Sequence, residues 1–291
     1  MNAGAGRFLV GLIGAGIQRS LTPAMQEEEA RHQGLHLHYQ LIDLDRTPGA
    51  LEQWPSLLRA AQVMGFTGLN ITYPCKQAVL PLLDELSPDA QAMGAVNTVL
   101  FRDGKRVGHN TDGSGWAWGF GRALPHADLG CVVLLGAGGA GSAIANAVLR
   151  LGAGQLRLVD SDHVRAQALA DALNARFGGR AMAIRDAAQA LDGATGLVHA
   201  TPTGMEKLPG LPVPATCLRP SMWVSEAVYF PLRTELLEAA EAMGCLTVDG
   251  GTMAVGQAVG AFELFTGLKA DAGRVERHFR GLLAATRVAG R

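Results

Sequence analysis

The sequence predicts an α/β protein of two domains, in which helices cover mostly parallel sheets. Three observations lead to this fold class. The chain has 291 residues, which is more than one ordinary core accommodates. Apolar strand-like segments alternate with helix-like segments, an order typical of parallel sheets. A second series of such segments starts after Asp112, which indicates a domain boundary near residue 113.

Residues 1–113 are assigned to the first domain. A buried strand, RFLVGLIG, leads to a helix for which Thr22 is the expected N-cap and Pro23 the first helical residue. The alternating segment LHLHYQLIDL predicts a second strand, and the helix after it is expected to be interrupted at Pro55. FTGLNITY predicts a third strand and CKQAVLPLLDEL a helix. Two further strands are expected on either side of a turn at Asp103 and Gly104.

Residues 114–249 are assigned to the second domain. GSGWAWGFGRAL predicts a linking helix, and residues 131–162 have the pattern of a strand, a glycine turn, a helix and a strand. One more helix and four more strands are predicted from HVRAQALADALNARFG, AMAIRD, GLVHAT, MWVSEAVY and CLTVDG. Residues 250–291 have the pattern of helices.

Composition and charge exclude several classes of function. The formal net charge is −1, so no basic face for nucleic acid or for an anionic membrane surface is expected. The four cysteines are far apart and lack the C-x-x-C spacing, which argues against a disulfide framework and a zinc site. Free thiols suit a reducing cytoplasm. The apolar N-terminal run is too short for a signal segment or a membrane span, and no metal site is predicted.

The segment GAGGAG predicts a dinucleotide-binding turn. Gly136, Gly138 and Gly141 form the G-x-G-x-x-G pattern between an apolar strand and an Ala-rich helix, the context that the pattern requires. The first glycine permits a tight turn, the second lets the backbone approach a pyrophosphate, and the third lets helix and strand pack closely. The phosphates would lie at the helix N-terminus. The alternative is a glycine-rich turn that binds nothing.

Asp160, at the end of the next strand, indicates which dinucleotide is bound. A carboxylate at this spacing can accept hydrogen bonds from the adenosine ribose. It would repel a 2′-phosphate at a cost of about 1–4 kcal/mol for a charge pair near 4 Å. NAD is therefore predicted rather than NADP. Arg165 leaves the other reading open, because an arginine nearby could accept the phosphate.

Polar side chains in the first half fall after predicted strands or at their ends. Because ligands bind outside the carboxyl ends of parallel strands, we expect these residues to converge on a cleft that faces the second domain. Hydroxyls, amides, one ammonium and one carboxylate suit a small polyhydroxylated anion. Each residue alone is also consistent with a helix cap, a turn or a solvated surface position, and it is their joint occurrence that favours a site. They are Ser20, Thr22, Asn70, Thr72, Lys76, Asn97, Asn110 and Asp112.

The chain resembles the shikimate dehydrogenase family, and more closely its quinate/shikimate dehydrogenase branch. The resemblance covers nearly the whole chain in the order of the family. It is carried by the segments SLTPAM, GLNITYPCK, GAVNTV, GHNTDGSG, GAGGAG, ATPTGM, EAVYFPLRTELLEAA and DGGTMAVGQAVGAFELFTG.

This resemblance implies an N-terminal substrate domain, a Rossmann cofactor domain and C-terminal helices, 250–291, that return to the first domain. It implies reversible hydride transfer between a ring C–OH and a nicotinamide, with Lys76 and Asp112 as the catalytic pair. Ser20 and Thr22 match the residues that bind the substrate carboxylate. The other implied substrate-binding residues are Asn70, Thr72, Asn97, Asn110, Tyr229 and Gln257. The implied cofactor-binding residues are Gly136, Ala137, Gly138, Gly139, Ala140, Gly141, Asp160, Arg165, Thr201, Pro202, Val228 and Gly250.

The chemistry explains a lysine at position 76. Oxidation of an alcohol needs a group that takes the hydroxyl proton as hydride leaves, and the reverse reaction needs an acid beside the carbonyl. A lysine can do both, whereas an arginine keeps its proton at working pH. Burial would lower the lysine pKa and a neighbouring aspartate would raise it, and the sequence leaves open which effect is larger.

Three departures from the family pattern refine the expectation. Thr22 stands where biosynthetic members have a second serine, which favours quinate as well as shikimate. Asp160 and Asp162 replace an Asn-Arg-Thr-like stretch, which again favours NAD and a catabolic, oxidising direction. Glu226 stands where an aspartate is usual, and no consequence is drawn from it.

Two alternatives remain open beside an NAD-dependent dehydrogenase of a hydroxylated ring carboxylate. One is a related enzyme acting on an aminoshikimate-type substrate, because an amino-for-hydroxyl change needs only a local pocket difference. The other is a ligand-sensing homologue without turnover, because fold alone does not fix function. The expected location is the cytoplasm, and a homodimer is one option for the assembly.

Overall fold

The computed structural model describes residues 6–46 and 48–289. The chain divides into two compact units, one formed by Met1–Thr111 with Val255–Arg291 and the other by Asp112–Ala254. Each contains a six-stranded sheet, so the predicted fold class is confirmed. No helix in the described ranges is long and apolar enough to cross a membrane.

The first sheet is mixed, although parallel pairings predominate. Its strands are β1 (Arg7–Gly14), β2 (His36–Asp43), β3 (Gly68–Ile71), β4 (Glu85–Leu86), β5 (Thr98–Arg102) and β6 (Lys105–His109). Their spatial order is β2-β1-β3-β5-β6-β4. β2, β1 and β3 are parallel, while β5 is antiparallel to both β3 and β6. The β5–β6 turn is the predicted one, and Asp103 and Gly104 both have positive φ, at 53° and 76°, as a two-residue hairpin turn requires.

The first four helices are α1 (Thr22–His32), α2 (Ala50–Val63), α3 (Cys75–Ala78) and α4 (Pro88–Met93). Three local expectations about this part of the chain were wrong. Thr22 is the first residue of α1 rather than its N-cap, and its N–H donates to Ser20 Oγ at 3.3 Å. α2 continues through Pro55. Instead of one helix, residues 75–86 form α3, a 3₁₀ turn at Leu80–Leu82 and β4.

Both of the larger differences involve a proline. Pro55 removes one helical hydrogen bond near the start of α2, but the buried face of Trp54, Leu58 and Ala61 runs on across it. Packing of that face outweighs the lost bond. Pro81 lies in the middle of CKQAVLPLLDEL, where the helix would need its N–H. The chain instead pairs Glu85 with Val107 in the sheet.

The second sheet is entirely parallel. It consists of β7 (Cys131–Leu135), β8 (Gln155–Val159), β9 (Ala181–Ala183), β10 (Gly196–His199), β11 (Trp223–Glu226) and β12 (Leu246–Val248). Its helices are α5 (Asp112–Ala123), α6 (Gly139–Arg150), α7 (His163–Phe177), α8 (Ala187–Leu191) and α9 (Glu235–Ala242). The strand order β12-β11-β10-β7-β8-β9 is that of a Rossmann fold, in which ligands bind where the order reverses, beside the carboxyl end of the first strand.

Two C-terminal helices, α10 (Gly250–Thr266) and α11 (Ala272–Ala289), follow the second sheet. From Val255 onward this segment belongs to the first unit. Ala261 and Phe265 of α10 pack with Val10, Leu12 and Leu100 in a buried cluster on the first sheet. Gly68 makes room for this contact, because a Cβ there would lie 2.7 Å from the Phe265 ring.

Candidate active site

The glycine turn has the geometry of a phosphate cradle. Gly136 follows β7 with a φ of +101°, a conformation that only glycine adopts without strain. A Cβ on Gly141 would overlap the carbonyl oxygen of Gly136, whereas a Cβ on Gly138 would meet nothing within 4 Å. Gly138 precedes the first turn of α6, where Gly139 and Ala140 present backbone N–H groups without a helical partner. An open helix N-terminus behind a glycine suits a pyrophosphate.

Asp160 directly follows β8 and fixes the glycine turn. Its Oδ2 accepts from the Ala137 N–H at 2.6 Å, and its Oδ1 accepts from the Asp162 N–H at 2.8 Å and from Arg165 Nη2 at 2.7 Å. Burial raises the pKa of this carboxyl, but the hydrogen bond from Arg165 and those from the two backbone N–H groups outweigh burial, so the pKa is lowered. Asp160 is therefore ionised at neutral pH. Its side chain is 7% exposed and that of Arg165 is 48% exposed.

The remaining predicted cofactor residues lie at the same edge of the second sheet. Thr201 and Pro202 follow β10, and Val228 follows β11. Gly250 begins α10, and a Cβ there would overlap the Val228 carbonyl oxygen, so this position requires a glycine. Because the strands are parallel, their carboxyl ends, the loops after them and the glycine turn share one edge. The donors and the open helix N-terminus on that edge fit a dinucleotide.

In the first unit, Ser20 and Thr22 lie where α1 begins. Ser20 is half-buried and Thr22 is buried, and the hydrogen bond between Thr22 N–H and Ser20 Oγ orients the two hydroxyl-bearing residues together. The loop before them is held by Asp43 at the end of β2. Its carboxylate accepts from the N–H groups of Gly16 at 3.0 Å and Ile17 at 3.2 Å. Sequence reasoning missed Asp43, although its place at the end of a strand was a signal.

Asn97 is the centre of a buried hydrogen-bond network. Its Oδ1 accepts from the Thr111 N–H at 2.8 Å, and its Nδ2 donates to Thr111 Oγ1 at 2.9 Å. Asn70 Nδ2 donates to the Asn97 carbonyl at 3.3 Å and to Thr98 Oγ1 at 2.9 Å, while Asn70 Oδ1 accepts from the Tyr39 hydroxyl at 2.7 Å. Asn97 precedes β5 rather than following a strand. Because β5 is antiparallel to β3, the start of β5 lies beside the carboxyl end of β3. Asn97 therefore lies at that edge of the first sheet.

Lys76 is placed beside this network. It lies in α3 and is half-buried, and its carbonyl accepts from the Val96 N–H at 2.9 Å. The half-buried Thr72 separates β3 from α3, with its carbonyl accepting from the Cys75 N–H at 2.8 Å. Lys76 is therefore held next to Val96, the residue that precedes Asn97 in the chain.

The other predicted residues are placed as follows. Asn110 is buried and donates to the Ala95 carbonyl at 2.9 Å. Gln257 lies in α10, and its carbonyl accepts from Thr111 Oγ1 at 3.1 Å. Asp112 and Tyr229 belong to the second unit. Asp112 is the buried first residue of α5, and burial raises the pKa of the Tyr229 hydroxyl.

Tyr39 and Thr111 both hold predicted site residues in place, and neither was predicted from the sequence. Thr111 lies inside the Asn-Thr-Asp segment, so its position was a signal. Tyr39 lies in the alternating pattern of a strand, and nothing in that pattern distinguishes it as a site residue. Among residues 6–46 and 48–289, no three His, Cys, Asp or Glu side chains are grouped so that they could hold a metal ion.

Comparison with known proteins agrees with this geometry. The family model for the substrate-binding domain of shikimate dehydrogenase matches residues 12–99. The shikimate dehydrogenase (NADP(+)) of Streptomyces avermitilis is 57% identical over 271 residues, which cover 92% of this chain and 93% of that protein. The quinate/shikimate dehydrogenase (NAD(+)) of Corynebacterium efficiens is 49% identical over 281 residues, covering 94% of this chain and 98% of that protein.

A solved structure extends the likeness to the whole fold. The quinate dehydrogenase from Corynebacterium glutamicum in complex with NAD matches with a TM-score of 0.88 and 46% identity, over 95% of this chain and 99% of that one. High identity over nearly the full length, together with the glycine turn and both sheets, leads to one conclusion. The chain belongs to the shikimate dehydrogenase family of oxidoreductases.

Proposed function

We propose that this protein is an NAD-dependent dehydrogenase that interconverts shikimate and 3-dehydroshikimate, quinate and 3-dehydroquinate, or both pairs. The observation that carries the proposal is the placement of Lys76 in the first unit. Its carbonyl is bonded to the N–H of Val96, the residue before Asn97. Asn97 in turn binds Thr111 by two hydrogen bonds, and Asp112 is the next residue in the chain.

In the proposed reaction, Lys76 and Asp112 form the acid–base pair. During oxidation, the ring C–O–H bond gives its proton to the Lys76 amine while the ring C–H bond gives a hydride. A bound nicotinamide supplies the hydride acceptor. In the reverse direction the Lys76 ammonium returns the proton to the carbonyl oxygen. Asp112 is proposed to keep the ammonium in place.

We assign recognition of the ring acid to polar residues that lie mainly in the first unit. Ser20 and Thr22 are proposed to bind the carboxylate through their hydroxyls. Thr72, Asn97 and Gln257 are proposed to bind ring hydroxyls, because hydroxyl and amide groups can both donate and accept hydrogen bonds. Both N–H groups of Asn70 already have partners, so we assign Asn70 to holding Asn97 in position. Asn110 and Tyr229 complete the proposed set.

We propose NAD as the cofactor because of the charge at Asp160. The carboxylate is ionised at neutral pH and would repel a 2′-phosphate. Arg165 could counter that charge on NADP, but its guanidinium is bound to Asp160 Oδ1. The relatives themselves differ on this point. One is named for NADP and is 57% identical, and another is named for NAD and is 49% identical.

The test is a set of initial rates at alkaline pH, followed by the absorbance of the reduced nicotinamide. Shikimate and quinate are each paired with NAD and with NADP. We expect turnover with NAD, and the ratio of kcat/KM for the two acids identifies the preferred substrate. Turnover only with NADP would contradict the role given to Asp160 and point to Arg165 as the phosphate partner. No turnover, with calorimetric binding of ring acid and NAD, would contradict the proposal in favour of a sensor, and turnover only with an amino analogue would change the substrate.

A further inference from the structure

A buried histidine–glutamate pair joins the ends of β10 and β11. His199 and Glu226 are the last residues of these strands and lie opposite each other in the parallel pairing. Both side chains are fully buried, at 0% exposure. His199 Nδ1 is 2.9 Å from Glu226 Oε1 and 3.0 Å from Oε2. The proposed reaction uses neither residue, so this pair of buried ionisable groups has no role assigned to it so far.

The pair is connected to the loops on both sides. Because carboxylate oxygens accept hydrogen bonds, we assign the His199 Nδ1 proton to the bond with Glu226. On the other side of the ring, Nε2 lies within hydrogen-bond distance of the Thr201 hydroxyl. Thr201 Oγ1 also accepts from the Thr203 N–H at 3.3 Å. His199 therefore holds the side chain of Thr201 and, through it, the start of the loop after β10.

Glu226 holds the loop after β11. Its Oε1 accepts from the Val228 N–H at 2.9 Å, and its Oε2 accepts from the Thr234 hydroxyl at 3.0 Å. Thr234 is the N-cap of α9, where its Oγ1 accepts from the Leu237 N–H at 3.3 Å. The carboxylate thus receives donors from a side chain of β10, from the backbone of its own loop and from the next helix. We call His199, Glu226 and Thr234 the strand-end cluster.

We propose that the strand-end cluster positions the two loops that contact the cofactor. The proposal rests on the proposed function as an NAD-dependent dehydrogenase and on the family resemblance, which implies Thr201, Pro202 and Val228 as cofactor-binding residues. In a dry interior, a fully connected polar network is strong, and breaking one link leaves a buried group without a partner. The network therefore fixes Thr201 Oγ1 and the Val228 N–H relative to each other. Both loops are linked to the same carboxylate, one of them through His199. A change at either strand end therefore alters the position of both loops.

Two substitutions of His199 separate its two hydrogen bonds. In His199→Asn, the amide nitrogen occupies the place of Nδ1 and can still donate to Glu226, but nothing reaches Thr201. In His199→Gln, the amide can reach toward Thr201, but the donor to Glu226 is lost. We expect each variant to raise the Kd for NAD on the order of tenfold, the effect of one lost buried hydrogen bond. The Kd for the ring acid, measured without dinucleotide, should change less than about twofold, since its proposed ligands lie mainly in the first unit.

The control is Asn174→Ala. Asn174 makes two hydrogen bonds to Ala181 at the amino end of β9, both 2.8 Å, at the opposite edge of the same sheet. We expect this variant to lower the Tm while the Kd for NAD stays at the wild-type value. If His199→Asn also lowers only the Tm and leaves the Kd for NAD unchanged, the cluster is merely structural and the proposal is overturned.

Thr234 gives a second test that does not depend on how well the His199 variants fold. Thr234→Val keeps the size of the side chain and removes the hydroxyl, and we expect it to raise the Kd for NAD. Thr234→Ser restores the hydroxyl and should restore the wild-type Kd. Equal Kd values for the two variants would overturn the proposal. Because NAD binding is read without turnover, a failure of the proposed dehydrogenase activity stays distinguishable from a failure of this inference.

Discussion

Lys76 is one of only four lysines in the chain, and the role proposed for it depends on a proton that the side chain can release. We expect Lys76→Ala to lower kcat/KM by about 10²–10⁴-fold, the usual contribution of a positioned acid–base group. Lys76→Arg should be similarly inactive, because a guanidinium keeps its proton. The measurement is the initial rate with NAD and the better ring acid.

Lys105→Ala is the matched control for that prediction. Lys105 is an exposed lysine paired with Glu85 on the surface of the same unit, and such solvent-exposed pairs contribute little to stability. Rates within about twofold of wild type are expected. Near-normal turnover of a folded Lys76→Ala protein would rule out the proposed role of Lys76.

The proposed preference for NAD should depend on the charge of Asp160. Asp160→Asn keeps an acceptor for the Ala137 N–H, removes the negative charge and releases Arg165. A single charge pair is worth about 1–4 kcal/mol at this range, so we expect the ratio of kcat/KM for NAD to that for NADP to fall at least about tenfold. Adding Arg165→Ala should abolish the gain with NADP. A ratio that does not change on Asp160→Asn would show that another residue selects the cofactor.

Single residues were predictable from sequence where few residue types can do the required chemistry. Residues whose role is to contact a residue distant in the chain were harder to predict. Lys76, Asp160 and Gly136 stand out because few residue types can do what they do. The bond from Tyr39 to Asn70 exists because β2, β1 and β3 lie side by side. The His199–Glu226 pair likewise requires β10 and β11 to be neighbours, which no local pattern reveals.

At the scale of elements, two glycines near the turn between β7 and α6 are expected to have different roles, one in stability and the other in binding. A Cβ at Gly141 would overlap Gly136, whereas Gly138 faces open space with an extended backbone. We expect Gly141→Ala to lower the free energy of unfolding by at least about 1–3 kcal/mol, the cost of overpacking. Gly138→Ala should leave stability nearly unchanged and weaken NAD binding severely, because its methyl group would stand where the pyrophosphate approaches.

Urea unfolding and calorimetric titration with NAD check both variants, and each variant serves as the control for the other. If Gly138→Ala binds NAD like the wild type, the pyrophosphate lies elsewhere and the interpretation of the turn is wrong. If both variants lose the same amount of stability, the space around Gly138 does not accommodate a methyl group as its backbone geometry indicates.

Long elements with a clear period were predictable, and short ones were not. The two-residue alternation predicted β2, and helix-like sequence predicted α7 and α11. α8 has five residues and β4 has two, too few for a period to be recognised. β4 exists only because its backbone pairs with β6. The continuation of α2 through Pro55 depends on Trp54 and Leu58 packing into the core, and local rules for proline do not include that contribution.

At the scale of the whole molecule, the first unit is closed by contacts between the two ends of the sequence. Glu29 of α1 is almost fully buried and accepts from Arg274 of α11 at 2.7 and 2.8 Å and from the Asp271 N–H at 2.9 Å. Burial raises the pKa of Glu29, but the hydrogen bonds from Arg274, Asp271 and Gln33 outweigh it and lower the pKa below its ordinary value of 4.5. The carboxylate form thus stabilises the folded state.

We expect Glu29→Gln to lower the free energy of unfolding by about 2–3 kcal/mol at pH 7. A carboxyl with a lowered folded-state pKa contributes stability above its unfolded-state pKa and loses it as the pH falls through the folded-state value. The difference between wild type and variant should therefore shrink below about pH 4.5. Urea unfolding at several pH values measures it.

Glu276→Gln, on the same helix, is the control. Glu276 pairs with Arg280 at a partly exposed site, 3.5 Å apart, and its loss should cost less than about 0.5 kcal/mol. An effect of Glu29→Gln that stays constant between pH 7 and pH 4 would contradict the assignment of the stabilisation to the ionised carboxylate.

The architecture was predictable for the second unit and only in part for the first. A glycine turn after an apolar strand constrains β7, α6 and β8, and the all-parallel order follows from connections of one hand. In the first unit, the reversal of β5 and the pairing of β4 with β6 depend on contacts distant in sequence. The sequence pattern therefore predicted parallel strands there without their order.

The interrupted first unit has a consequence for how the protein is made. Its sheet leaves the ribosome early, but Ala261 and Phe265, which cover Val10, Leu12 and Leu100, are translated after the whole of Asp112–Ala254. At about 5–20 residues per second, the nascent strands wait roughly 8–33 s for their cover. The segment translated second can thus finish folding first. During that interval the uncovered strands are a natural client for a chaperone acting on the growing chain.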